Sequence, residues 1–152
     1  RYFNVFGKRQ NPSGDYAAVI PKWINSMLKN DCVLIYGDGK TSRDFCYIEN
    51  VIQANILAAT ASKKQMNQVY NVALDEQTTL NDLYSIIKQE LYSAGINKFM
   101  PIEYKSFRVG DILHSRADIS KAREMLGYDP KYNISIGIKE TISWYLSSRR
   151  DF

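Results

Sequence analysis

The sequence of 152 residues predicts a mixed α/β fold in which short strands alternate with helices. Short apolar runs such as 33–36 are typical of strands, and longer stretches such as 80–91 carry apolar residues at helical spacing. Glycine, proline or a capping residue marks most of the junctions between them. The strands are too few and too short for a complete doubly wound sheet.

The first half of the chain predicts three extended segments and two helices. The opening residues are apolar and aromatic, which indicates the end of a buried strand. Pro21 fits only in the first turn of the helix that follows. The strands are expected at 1–6, at 33–36 (ended by Gly37-Asp38-Gly39) and at 43–47, a loop at 7–15, and the helices at 17–28 and 49–62.

The second half predicts two strands and three helices. Thr78 and Thr79 are expected to cap one helix, which Gly95 ends, and Gly127 is expected to close the next. The strands are expected at 69–73 and 102–105, and the helices at 80–94, 118–126 and 133–146.

Composition narrows the function. Hydrophobic residues make up 45% of the chain, and the net charge of +4 is spread along it, which favours an anionic small ligand over nucleic acid. No apolar run is long enough for a membrane span, and no leader pattern is present, so a cytoplasmic protein is expected. The first residue is Arg1, which suggests that further sequence precedes it. Cys32 and Cys46 are expected to be reduced packing residues, and no metal site is expected around His114.

Several catalytic motifs fail on inspection. Gly39-Lys40-Thr41 resembles the end of a phosphate-binding loop, but Leu34 occupies the position of the first glycine. Tyr84 and Lys88 have the spacing of a dehydrogenase base pair, yet they are better interpreted as a solvated pair on a helix. The sequence contains no Gly-x-Gly-x-x-Gly fingerprint and no Gly-x-Ser-x-Gly elbow.

Two arginines suit a diphosphate ligand, because the planar guanidinium forms bidentate, charge-assisted hydrogen bonds. Arg43 and Arg108 lie on separate segments and are candidates to hold two phosphates. Asp111 follows Arg108 across a glycine turn, and its carboxylate is suited to accept two ribose hydroxyls. The alternatives are surface salt bridges for the arginines and a turn cap for the aspartate.

Three segments together resemble the C-terminal half of the extended short-chain dehydrogenases, the NAD-dependent epimerase/dehydratase family. They are Arg1-Tyr2-Phe3-Asn4-Val5-Phe6-Gly7; Tyr36-Gly37-Asp38-Gly39 with Arg43-Asp44-Phe45-Cys46-Tyr47-Ile48; and Arg108-Val109-Gly110-Asp111 with Ser115-x-Ala117-Asp118. The segment Ala17-Ala18-Val19-Ile20-Pro21-Lys22-Trp23 is similar to bacterial UDP-N-acetylglucosamine 4-epimerases in particular.

The resemblance implies that 1–152 is the UDP-sugar-binding C-terminal portion of such an epimerase, comprising the last strands of a Rossmann sheet and a small α/β lobe. The NAD-binding half, with its catalytic Tyr, Lys and Ser, would be absent, so the chain alone is expected to be inert. The complete protein would be a homodimeric UDP-N-acetylhexosamine 4-epimerase that binds neither nucleic acid nor membrane. The alternatives are a 4,6-dehydratase, a UDP-glucose or uronate epimerase, and a non-catalytic UDP-binding module.

The resemblance also implies roles for individual residues. Asn4, expected to end a strand, would contact the diphosphate or the sugar. Ala18 and Val19 would bind uracil through their backbone, and Ser115 would leave room for an N-acetyl group at the sugar C2. The aromatic candidates have a role in the core as their alternative: Trp23 and Tyr36 as walls around the nucleotide, and Phe3 near the nicotinamide.

Overall fold

Six short strands and five helices make up residues 1–13 and 17–148, the part of the chain that the computed structural model describes. The strands are β1 (Val5–Phe6), β2 (Leu34–Tyr36), β3 (Ser42–Arg43), β4 (Cys46–Tyr47), β5 (Thr78–Thr79) and β6 (Glu103–Lys105). The helices are α1 (Val19–Lys29), α2 (Ile48–Ala59), α3 (Leu80–Ser93), α4 (Ser120–Leu126) and α5 (Ile134–Ser148). The predicted α/β class is therefore confirmed.

The strands pair in twos. β1 pairs with β4 and β2 with β6, both in parallel, whereas β3 and β5 are antiparallel. Two isolated parallel bridges extend this pairing, Tyr2 with Val72 and Ser42 with His114. The second bridge places the segment around His114 beside β3. This segment includes the candidate residue Ser115.

The helix ends follow the local chemistry that the sequence predicts. Pro21 lies in the first turn of α1, where its missing N–H breaks no helical hydrogen bond. The Thr79 hydroxyl accepts from the Asp82 N–H at 3.0 Å and so caps α3. Gly127 caps α4 with φ of 69°, in the left-handed region that favours glycine.

Three strand predictions need correction. The segment 69–73 forms no strand, because only Val72 has a backbone bridge, to Tyr2. The segment 43–47 is two strands, since Asp44 and Phe45 separate β3 from β4. The opening segment 1–6 is a strand only at Val5–Phe6. In each case the apolar pattern is present but a continuous partner strand is not.

Strand β4 separates two hydrophobic clusters, because successive side chains of a strand point to opposite faces. Tyr47 packs in the larger cluster with residues of α1, α3 and α5, and Cys46 packs in the smaller one with α2 and α4. Helix α5 approaches Tyr47 closely at Gly137, where a Cβ would lie 2.9 Å from the Tyr47 Cβ. None of the helices in the described ranges is long and apolar enough to cross a membrane.

The two cysteines differ in environment. Cys46 is fully buried, as predicted, and burial raises the pKa of its thiol to about 11. The prediction that Cys32 is a packing residue is wrong, because Cys32 is exposed. It follows the end of α1, at the start of the segment that leads into β2.

We expect one fast-reacting thiol in the folded chain. An aromatic disulfide reagent at about pH 8 should modify Cys32 and leave Cys46 intact until the protein unfolds, because the thiolate is the reactive form. The raised pKa of Cys46 also means that its contribution to stability is lost as the pH rises towards about 11. Cys46→Ala should flatten this alkaline loss in denaturant melts, and Cys32→Ala should not. Equal labelling of both thiols in the folded state would contradict the prediction.

Candidate functional site

A cavity of about 370 Å³ opens beside the first half of α1. Helix α1, strands β2 and β3, and the segment after β6 each contribute to its wall. The residues that line it are Asn4, Ala17, Val19, Lys22, Trp23, Ser26, Cys32, Leu34, Tyr36, Thr41, Arg43, Phe45, Leu80, Arg108 and Asp111. The structure thus brings together seven of the predicted site residues: Asn4, Val19, Trp23, Tyr36, Arg43, Arg108 and Asp111.

Asn4 lies in a sharp bend before β1. The expectation that it ends a strand is wrong, because the strand begins after it, at Val5. Its φ of 37° lies in the left-handed region, where asparagine is tolerated better than most residues. The side-chain amide donates to the carbonyl of Asp44 at 2.9 Å. This bond fixes the amide at the cavity wall and leaves its Oδ1 available to a ligand.

The start of α1 forms another part of the wall. Ala18 is the N-cap residue, with extended φ and ψ of −62° and 152°, and no side chain caps the first turn. Ala18 itself does not line the cavity, whereas its neighbours Ala17 and Val19 do. Trp23 packs in the hydrophobic core and also lines the cavity, and its role as a wall around a nucleotide stays a prediction.

The two arginines enter the cavity from different segments. Arg43 lies on β3, and its Nη1 donates to the backbone carbonyl of Ser42 at 2.8 Å. Arg108 stacks on Tyr36, with its guanidinium carbon 3.8 Å from the ring centre. Hydrogen bonding and charge from this guanidinium lower the pKa of the Tyr36 hydroxyl. Neither arginine is paired with a carboxylate among the ion pairs of the described residues.

Asp111 lies beside Arg108 because of a tight turn. The Asp111 N–H donates to the Arg108 carbonyl at 3.3 Å, and Gly110 between them has φ of 83°. This arrangement confirms the turn that the sequence predicts. It presents a cation and a carboxylate to the same cavity from residues only three apart.

Two further candidates lie outside the cavity wall. Ser115 is half-buried on the segment beside β3, where its N–H donates to the Ser42 carbonyl at 3.1 Å. Phe3 is half-buried and packs against the smaller hydrophobic cluster. Its proposed contact with a nicotinamide therefore stays a prediction.

Two residues with a role at the site were not predicted from the sequence. Lys22 lines the cavity from the first half of α1, so three cations and one carboxylate, Asp111, face it among the described residues. An exposed basic residue in a helix is too common a pattern to have revealed this role. This excess of positive charge favours a ligand with two or more negative charges.

The second missed residue is Asp44, which is fully buried and lies in the sequence between the cavity residues Arg43 and Phe45. Its carboxylate accepts hydrogen bonds from three backbone N–H groups: Leu74 at 2.9 Å, Asp75 at 3.0 Å and Ala117 at 3.2 Å. Burial raises the pKa of this carboxyl, and the N–H donors oppose that rise. Asp44 therefore ties together chain segments that are far apart in sequence. The signal in the sequence was an acidic residue directly before the apolar run 45–48.

Tyr84 and Lys88 do not form a solvated pair as expected. Tyr84 is buried and meets the Trp23 ring edge-on at 6.5 Å, and burial raises the pKa of its hydroxyl. Lys88 is exposed. A tyrosine that is harder to ionise than usual is poorly suited to act as a base. Within the described ranges no group of three His, Cys, Asp or Glu side chains is arranged to hold a metal ion.

Comparison with known proteins shows what the chain is similar to. Residues 1–73 match the model of the NAD dependent epimerase/dehydratase family. Across 150 residues, the chain is 37% identical to the putative UDP-glucose 4-epimerase of Methanocaldococcus jannaschii, covering 99% of this chain and 46% of that protein. The chain is similar to proteins of this family over almost its whole length.

The similar proteins have names that refer to different UDP-sugars. The UDP-N-acetyl-alpha-D-glucosaminuronate decarboxylase of Bacillus cytotoxicus is 32% identical, over 99% of this chain and 46% of its own. A solved UDP-N-acetylglucosamine 4-epimerase from Methanobrevibacter ruminantium, in complex with UDP-N-acetylmuramic acid, superposes with a TM-score of 0.85. That structure is 42% identical, and the match covers 97% of this chain and 45% of the other.

The chain therefore spans a little under half the length of these relatives. The part that it matches is their C-terminal part, as the resemblance implies.

Proposed function

We propose that this chain is the substrate-binding part of an NAD-dependent UDP-N-acetylhexosamine 4-epimerase. The observation that carries the proposal is the single cavity that Arg43, Arg108 and Asp111 line together, although Arg43 and the turn of Arg108 and Asp111 come from separate parts of the sequence. A UDP-sugar offers a diphosphate, a ribose diol and a uracil edge, and this cavity has a suitable partner for each.

The diphosphate would lie between Arg43 and Arg108. Both guanidiniums have further N–H groups with which to bind a ligand. Arg43 is held through only one of its terminal nitrogens, and the face of the Arg108 guanidinium stacks on the Tyr36 ring. Lys22 adds a third positive charge at the same wall. The Asn4 amide, fixed by Asp44, would contact the diphosphate or the adjoining sugar.

The nucleoside would lie against α1. The first turn of this helix has no side-chain cap, so backbone N–H groups at Ala18 and Val19 are suited to bind the uracil edge. Trp23 and Tyr36 would form the walls, and the Asp111 carboxylate would accept the ribose hydroxyls. Ser115 would stand beside the sugar and admit an N-acetyl group.

The proposed cofactor is NAD, which accepts and returns hydride when it is bound. The 152 residues contain no dinucleotide fingerprint, so they do not form a cradle for it. This chain would bind and orient the sugar nucleotide, while the cofactor and the catalytic base would be held by sequence outside it. We therefore propose that the chain alone is inert, and that the complete protein works as a cytoplasmic homodimer.

Calorimetry with UDP and uridine tests the proposed site. Arg43→Ala and Arg108→Ala should each weaken UDP binding by about 10- to 100-fold, which corresponds to the loss of a charged hydrogen bond. Uridine carries no phosphate, so its affinity should change little. Arg123→Ala removes an exposed arginine of α4, away from the cavity, and serves as the matched control. Binding of UDP that none of the cavity variants weakens would overturn the proposal.

A further inference from the structure

Arg108 lies on an exposed segment of chain, residues 106–113, which we name the strap. Its first end is fixed where the Gly37 N–H donates to the Lys105 carbonyl at 2.9 Å. Its second end is fixed where the Ser42 N–H donates to the Leu113 carbonyl, also at 2.9 Å. Every side chain of the strap is exposed, and Val109 is as exposed as in an unfolded chain, at 106%. Burial of the strap in the core therefore does not hold Arg108 in place.

The Phe107 ring of the strap lies against Gly37. A Cβ built on Gly37 would lie 2.3 Å from Cε1 of the Phe107 ring, so the ring rests directly on the glycine backbone. Gly37 has φ of 86°, which independently favours glycine at this position. Any larger residue at position 37 would displace the ring.

Two successive residues of the strap thus stack on two successive residues of the opposite turn. Phe107 covers Gly37, and Arg108 covers the ring of Tyr36. We propose that Phe107 is a positioning residue that holds the Arg108 guanidinium at the cavity and thereby favours diphosphate ligands over uncharged nucleosides. The inference rests on the proposed function of the same cavity.

The physical reason is conformational entropy. Without the Phe107 ring, the strap between its two fixed ends would move among more conformations, and binding would have to order it. Ligands that use Arg108 would lose the most affinity, since uridine would meet the strap only at Asp111 and would otherwise lie against α1, a separate element. An affinity loss of about 10-fold for UDP is expected from this ordering cost.

The test compares UDP and uridine binding in the complete encoded protein. Phe107→Ala should weaken UDP binding about 10-fold and weaken uridine binding less, because uridine would meet the strap only at Asp111. Phe107→Tyr keeps the ring and should restore the affinity, and Val109→Ala, a change in an exposed residue of the same strap, should have no effect. In an Arg108→Ala background, Phe107→Ala should cause a smaller loss of UDP affinity than in the unaltered protein.

A readout without ligand separates the two proposals. The Arg108 side-chain protons lie over the Tyr36 ring and should show ring-current-shifted NMR resonances, which Phe107→Ala should abolish. Unchanged resonances in that variant, or equal losses for UDP and uridine, would overturn the positioning role. Failure of the unaltered protein to bind UDP would overturn the proposed function, and with it the preference for diphosphate.

Discussion

Replacing Asp44 with alanine should lower the free energy of unfolding by about 3 kcal/mol or more, because each unsatisfied buried N–H costs about 1–3 kcal/mol. The three backbone N–H groups that its carboxylate binds belong to Leu74, Asp75 and Ala117. For a chain of this size such a loss is a large part of the total stability.

Asp44→Asn should lower the free energy of unfolding less than Asp44→Ala does. One amide oxygen still accepts, but the amide nitrogen then faces backbone N–H donors. Asp31→Ala, which removes an exposed carboxylate, is the matched control and should change stability by less than about 0.5 kcal/mol. Urea melts followed by circular dichroism measure all three variants. Equal midpoints for Asp44→Ala and Asp31→Ala would show that the carboxylate is not needed.

Replacing Ser115 with tyrosine should change which sugar the complete enzyme accepts. Turnover of UDP-N-acetylglucosamine should be abolished, while UDP-glucose should still react. The reason is steric, because a tyrosine ring fills the space that the N-acetyl group would need, and a plain hydroxyl needs much less. The measurement is epimerisation of both substrates under the same conditions.

Ser115→Ala is the control for this prediction. It removes the hydroxyl but keeps the space, so both substrates should still be used. The backbone bond from Ser115 to the Ser42 carbonyl is available in all three proteins. Equal loss of both activities in Ser115→Tyr would show that the residue supports the site in general and does not select the sugar.

Helices were the most predictable part of this fold. Their signals are local, as in the Thr79 cap of α3, the Gly127 end of α4 and the position of Pro21 in α1. Strand boundaries depend on distant partners, and so 69–73 was predicted as a strand although only Val72 has a bridge. Helix α2 ends at Ala59, three residues before its expected end, because Thr60 already has non-helical dihedral angles.

The candidate site was predictable where its chemistry lies in the side chain itself. Arginine and aspartate near glycine turns, taken with the family resemblance, predicted a diphosphate and a diol as ligand groups before the fold was known. The supporting residues were not predictable, because their roles depend on what they touch. Asp44 binds backbone atoms of segments 30 and 73 residues away, and Phe107 rests on a glycine 70 positions earlier.

The hydrogen bonds of Asp44 and Ser42 determine how freely position 115 can vary. They hold the segment around Ser115 through main-chain N–H groups, at Ser115 itself and at Ala117. Every amino acid except proline supplies such a group, so position 115 can vary while the framework stays in place. A substitution at position 115, which we propose selects the sugar, therefore needs no compensating change in the scaffold.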